Sequence, residues 1–156
     1  NKIRCVVIGS FKEHKRYKSE LEKLMRKLGV EDIVHLAGEA NDTPALLMLS
    51  DVYIATNVEP KASLITLLEA ESLGRPIIAS NIGSTPEYIL DNETCKMFNP
   101  NNIDELVDAI VWALKITEEE RSEISQKLST NVRLNFSKSV IPQRIVNIYN
   151  YVLGLK

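Results

Sequence analysis

The sequence predicts an α/β protein, a Rossmann-like doubly wound parallel sheet flanked by helices, and three observations carry that expectation. Short apolar runs, Arg4 to Ile8, Ile33 to Leu36, Asp51 to Ala55 and Ile77 to Ala79, alternate with helical stretches, the pattern of successive right-handed βαβ crossovers. Chain-stop and chain-start residues, Gly29, Pro44 and Gly74 among them, fall at the joints between the two kinds of segment. The composition is that of an ordinary globular chain, 156 residues with 44% hydrophobic and 26% charged. A chain of that length forms one domain around one core, burying roughly 70% of its unfolded surface.

Composition also excludes partners. A net charge of −2 gives no electrostatic case for nucleic acid or an anionic membrane. No apolar run approaches the ~20 residues of a membrane span, and no signal peptide precedes the first strand. The chain opens on Asn1 rather than Met, which reads as a piece excised from a longer protein. Cys5, in a predicted strand, and Cys95, in a predicted turn or hairpin, lack metal-ligand or CxxC spacing, so reduced thiols in a cytosolic compartment are expected. No metal site is expected. The sequence also lacks a P-loop, a dinucleotide GxGxxG, a GxSxG elbow and an HExxH pair, which leaves the common kinase, dehydrogenase, hydrolase and zinc-protease readings without support.

Arg4 to Ile8 is a continuous apolar run of the kind buried on both faces, closed by Gly9-Ser10. The charge-dense stretch that follows, including His14, reads as a solvated surface leading into a helix over Lys15 to Leu28. Tyr17, Leu21, Leu24, Met25 and Leu28 give that helix one apolar face, and Gly29 ends it. Ile33 to Leu36 is the next strand, followed by Ala37-Gly38; His35 alternates against Val34 and Leu36 and reads as a satisfied structural histidine. Asn41-Asp42-Thr43-Pro44 supplies an N-cap and a first-turn proline for a short helix through Leu49.

The central stretch, Asp51 to Ser80, reads as strand, loop, helix, strand. Thr56 to Lys61 carries Asn57 and Pro60 as breakers, and Ser63 is the candidate N-cap of a helix running to about Leu73. Leu64, Leu67, Leu68 and Leu73 form its core stripe, Gly74 stops it in the left-handed region, and Pro76 opens the next strand. At the carboxyl end of a parallel strand, a helix N-terminus holds anions through backbone N–H groups and the helix dipole. Ser63, Leu64 and Ile65 are therefore candidates to hold a phosphate through the main chain. Glu69 interrupts the apolar centre of the helix, too deep to be a cap. It either pairs with a neighbouring Arg or Lys or offers its two acceptor oxygens to a vicinal diol such as a ribose.

Beyond it, Gly83-Ser84-Thr85-Pro86-Glu87 opens a short helix in which Ser84 and Glu87 have capping-box spacing. Asp91 to Pro100 is a turn, a strand around Lys96 to Phe98 and an exit. Asn101 or Asn102 caps a helix over Ile103 to Lys115, burying Ile103, Leu106, Val107, Ile110, Val111 and Leu114. Thr117 and Glu120 form a capping box for a helix that holds Ile124 and Leu128, and Val140 to Leu153 is a final amphipathic helix with Pro142 in its first turn.

LLEAESLGRPIIAS, then NIGSTPEYI and DNETCKMFNPNN, resembles the C-terminal, donor-binding half of a retaining GT-B glycosyltransferase of group 1, or family 4. The resembled pattern is a Glu, seven residues, a second Glu followed by Ala, a small-residue stretch and Gly-x-Pro. Glu69, Gly74, Pro76 and Ser80 fall in place; Gly83 and Glu87 match a later Gly and Glu, while Ser84 replaces a second Gly. The resemblance implies that Glu69 holds the ribose, that Ser63 to Ile65 hold the diphosphate, that Gly9 stands in a turn close to the donor, and that Leu36, Ala37 and Gly38 lie beside the nucleobase through backbone. It implies a nucleoside-diphosphate sugar as donor, no separate cofactor, and a glycan, lipid or cell-envelope precursor as acceptor. The acceptor-binding half, the first strand of this half and a basic pair near the diphosphate would lie upstream of residues 1–156. The full-length protein would be cytoplasmic or peripheral at a membrane, and the isolated chain would bind donor weakly and transfer nothing.

Lys61 stands where the resembled pattern has its first Glu, and Glu59 is the nearest acid. Three readings stay open: a cation that replaces the basic pair at the diphosphate, a member that has lost transfer, or a shifted loop in which Glu59 is the acid. A non-catalytic α/β interaction subunit, a GT-B nucleotide-sugar epimerase and a phosphorylase are the alternatives in function, the last needing a pyridoxal-phosphate lysine that no motif around Lys61 identifies.

Overall fold

Strand and helix alternate in the order β1 (Cys5–Ile8), α1 (Lys15–Leu28), β2 (Val34–Gly38), α2 (Thr43–Leu49), β3 (Tyr53–Ala55), α3 (Ile65–Ser72), β4 (Ile77–Ser80), α4 (Thr85–Tyr88) and β5 (Cys95–Phe98), before three closing helices, α5 (Ile103–Lys115), α6 (Glu118–Asn135) and α7 (Ile141–Leu153). The computed structural model describes residues 3–60, 64–89 and 93–154. Lys61 and Ser63, together with Asp91 and Asn92 of the predicted turn, lie outside the described residues. The α/β class with parallel sheets flanked by helices is the one the alternation of periods predicts.

Packing divides the chain into two compact units, Asn1–Thr43 and Pro44–Lys156, where the sequence reading expects one core. The strands likewise fall into two sheets rather than one: β1 pairs with β2 in the first unit, and β3, β4 and β5 pair in that order in the second. Every pairing is parallel.

In the first unit, α1 has the predicted bounds and ends on Gly29 at φ +65°, whose amide is donated to the Arg26 carbonyl. Its apolar face is not buried, and neither is β1. All four residues of β1 remain accessible, Val6 at 51%, against the expectation of a strand covered on both faces. Burial on both faces needs a layer of helices on each side and a strand on each edge; within this unit β1 has one neighbouring strand and one helix in sequence reach. His35 is exposed on the face opposite Val34 and Leu36, the alternation the sequence predicts.

The core lies in the second unit. β4 is buried throughout, with Ile77, Ile78 and Ala79 wholly inaccessible, and each such isoleucine contributes roughly 1.5–3 kcal/mol through burial. One face of β4 joins Leu47, Leu64, Leu67, Ala70 and Cys95; the other joins Phe98, Ala109 and Ala113. Cys95 is thus the first residue of a strand rather than part of a turn. On α5, the buried face runs through Leu106, Ala109, Ile110 and Ala113, and not through Ile103, Val107, Val111 and Leu114, which are exposed. Alanines at i and i+4 let the helix backbone approach the sheet, which places the bulkier stripe outward. The Thr117 and Glu120 capping box is present in full, at 2.8 and 3.2 Å. At α4, by contrast, Ser84 is the N-cap but its side chain makes no cap bond; the Glu87 amide is donated to the Ser84 carbonyl.

Candidate functional site

Because β3, β4 and β5 are parallel, their carboxyl ends, Ala55, Ser80 and Phe98, lie along one edge, and each is followed by the N-terminus of a helix. Those three termini are not equivalent. α5 closes its own: Asn102 accepts from the Glu105 amide, while Asn99 donates to the Glu105 carboxylate from its backbone at 2.6 Å and from its side chain. These bonds, the Asn99 backbone first, hold the Glu105 carboxyl below the usual range. α4 is a single turn. α3 begins after Leu64, whose apolar side chain caps nothing, so its first-turn amides receive no bond from the N-cap side chain.

Leu64 itself is buried in the core and Ile65 is exposed, which anchors the start of α3. The Leu67 and Leu68 amides are donated back to the Leu64 carbonyl, so the helix is fully wound from its first turn. Glu69 follows one turn later and is half-buried. Among the described residues no Arg or Lys pairs with its carboxylate, which disfavours the surface-pair reading. Tyr53 lies beside it: burial first, and the Glu69 charge second, push the phenol up, and a hydrogen bond with Thr66 partly offsets them. Glu59 is exposed in the loop after β3. Lys61 and Ser63 lie outside the described residues.

Gly9, Leu36, Ala37 and Gly38 come together at the carboxyl end of the first unit's strand pair. The Gly9 amide is donated to the Gly38 carbonyl at 2.9 Å, next to a register shift between Val7 and Ile8. Gly38, at φ +76°, turns the chain out of β2, a conformation that β-carbon sterics disfavour for other residues. The two loops are tied by an ion pair between Lys12 and Glu39, and Lys12 first, then Ser10, hold the Glu39 carboxyl below its usual range.

Tyr53 and Glu71 of the second unit are not marked out by the sequence reading, and Ser80 only as a match in the resembled pattern. Tyr53 was hidden because a strand tyrosine ordinarily serves the core. The Ser80 hydroxyl is buried at the carboxyl end of β4 with no hydrogen-bond partner among the described residues. Glu71 is fully buried on α3, and a signal existed: with Leu64 and Leu67 it completes the i, i+3, i+7 stripe, a position the reading gave to Leu73.

A helix N-terminus at the carboxyl edge of a parallel sheet, with a partly buried carboxylate one turn along the helix, is an arrangement in which α/β domains hold anionic ligands. The family described as glycosyl transferases group 1 matches residues 1–133, and the chain belongs to that family. It is similar to the O-antigen biosynthesis glycosyltransferase WclY of Escherichia coli, 28% identical over 95% of this chain and 42% of that protein. It also resembles the crystal structure of a glycosyltransferase from Rickettsia africae ESF-5, with a TM-score of 0.88 and 26% identity over 97% of this chain and 40% of that one. Anabaena Alr3699/HepE, solved in complex with UDP, shares the fold at a TM-score of 0.84 and 21% identity over 96% of this chain and 41% of that one. The chain therefore spans less than half the length of these relatives. Among the described residues no helix is long and apolar enough to cross a membrane.

Proposed function

We propose that this chain is the donor-binding part of a retaining, family 4 glycosyltransferase that moves a sugar from a nucleoside diphosphate to a glycan, lipid or other cell-envelope precursor. The observation that carries the reading is the N-terminus of α3 at the carboxyl edge of the parallel sheet, where Leu64 offers no side-chain cap, with Glu69 unpaired among the described residues one turn beyond it. Breaking the anomeric C–O bond leaves negative charge on the departing diphosphate. Amides of the first turn of α3 would receive that charge, the helix dipole adding roughly 0.3–1 kcal/mol, without a metal ion. Glu69 would accept from the ribose hydroxyls. Gly9 and the Leu36–Gly38 backbone would serve the nucleobase, and Lys61 would approach the diphosphate as a cation. UDP in the Anabaena relative and O-antigen synthesis in the WclY name support a nucleotide-sugar donor and a glycan acceptor.

The acceptor-binding part, and a strand and basic pair close to the diphosphate, would come from the remainder of a longer enzyme. The accessible apolar strand β1 and the spans of the relatives support that division. The enzyme as a whole would work in the cytoplasm or at the membrane surface. Calorimetric titration of the chain with UDP, GDP and ADP, alongside Glu69→Ala, tests the reading. Saturable binding of one diphosphate that the variant loses is expected; undiminished binding by Glu69→Ala would remove the ribose role.

A further inference from the structure

Glu71 has no place in the site described above, yet among the described residues it is the one fully buried carboxyl. It sits in the last turn of α3, on the face that packs against α6. Among the described residues neither carboxylate oxygen has a hydrogen-bond partner. Both helices bury apolar residues, Leu67 and Ala70 on α3 and Ile124 and Leu128 on α6. A neutral carboxylic acid is tolerated in such a seam; a carboxylate stranded there without a partner is not, and must either take up a proton or reach water.

We propose that Glu71 is a protonation-controlled latch that sets how firmly α6 holds α3, and through α3 positions Leu64, Ile65 and Glu69. Burial pushes the Glu71 carboxyl up from its ordinary 4.5 to about 7, and the Asn131 amide of α6 acts in the opposite sense although it stands outside strict hydrogen-bond geometry. When the seam opens, the carboxyl returns to its ordinary value. Opening therefore becomes easier by up to about tenfold per pH unit between about 4.5 and about 7, and levels off above about 7 where both states are ionised.

Arg75, one turn beyond Glu71, donates from Nη2 to the Met48 carbonyl while its Nε has no partner among the described residues, and Arg133 of α6 is exposed. β4 carries no titratable side chain, and Tyr53 of β3 responds to Glu69 and Thr66. On α6, Lys127 is paired with Glu93, Arg121 donates to the Asp51 carbonyl, and Glu118, Glu119, Glu120 and Glu123 are exposed. Burial and Asn131 alone set the Glu71 value.

Amide hydrogen exchange in α3, expressed as protection factors between about pH 5 and pH 8.5, tests the latch. The parent should lose about fortyfold in protection from about pH 5 to pH 7 and about twofold more before it levels off. Glu71→Gln, which keeps the shape of the neutral acid, and Glu71→Met, which fills the seam without a polar head, should be flat across the range. A parent without pH dependence, or variants that follow the parent, would overturn the proposal. Its consequence for the donor rests on the function proposed above, and is read as the ratio of parent to Glu71→Gln dissociation constants for UDP, GDP and ADP at each pH, which cancels the nucleotide's own titration. That ratio should rise between about pH 5 and pH 7. A constant ratio would sever the latch from the donor helix, whereas no binding to any diphosphate would remove the functional reading and leave the exchange result to judge the latch.

Discussion

Gly74 and Ser125 are pressed together where α3 ends against α6: a β-carbon added to Gly74 would stand 2.7 Å from the Ser125 Cα. Gly74 also has φ +65°, and its amide is donated to the Glu71 carbonyl at 2.8 Å to close the helix. The same glycine thus ends the helix and lets α6 lie down on it. Gly74→Ala should cost about 3 kcal/mol or more, since left-handed strain of roughly 1–2 kcal/mol adds to a backbone clash that rotamer change cannot relieve. Urea unfolding of the parent and variant measures it.

Stability should fall with rising pH through Glu71. The folded carboxyl titrates at about 7 and the unfolded one near 4.5, so between those values the folded state holds the extra proton and loses stability as the pH rises. Below 4.5 both states are protonated and the penalty is absent; above about 7 it is complete, at about 3 kcal/mol. The difference in unfolding free energy between the parent and Glu71→Gln, measured at about pH 4, 6 and 8, should change in the variant's favour across that window.

Tyr53 reports on Glu69. Burial dominates the upward displacement of its phenol and the Glu69 charge adds to it, so Glu69→Gln should lower the Tyr53 titration midpoint without returning it to the ordinary tyrosine value of 10.0. Ultraviolet difference absorbance through alkaline pH follows this directly. No change would mean that the two side chains are not neighbours.

Thr117→Ala should destabilise α6 by about 1 kcal/mol, because both reciprocal bonds of the capping box are made. Ser84→Ala should cost less through capping, since that side chain makes no cap bond. Thermal unfolding of the two variants gives the comparison.

The periodic elements were legible because local chemistry decides them. The bounds of α1 and α5, the Gly74 stop and the Thr117 box each follow from residues within one or two turns. What the sequence hid depends on layers brought from elsewhere in the chain. The apolar run of β1 reads as buried whether or not two layers cover it, and Ile103, Val107, Val111 and Leu114 outweigh Ala109 and Ala113 in any hydrophobicity count although the alanines face the sheet. In the candidate site, Glu69 stands out as a break in an apolar helix, whereas no such break marks Glu71, two residues on. Distinguishing them takes the position of α6, which no local pattern contains.

The central claim is that the first turn of α3 and Glu69 hold a nucleoside diphosphate. Amide NMR of the chain, titrated in turn with UDP, GDP and ADP, tests it at the residues concerned. Saturable shifts at Ile65, Thr66 and Glu69 with one of the three are expected. Saturable binding whose shifts leave α3 untouched would contradict it.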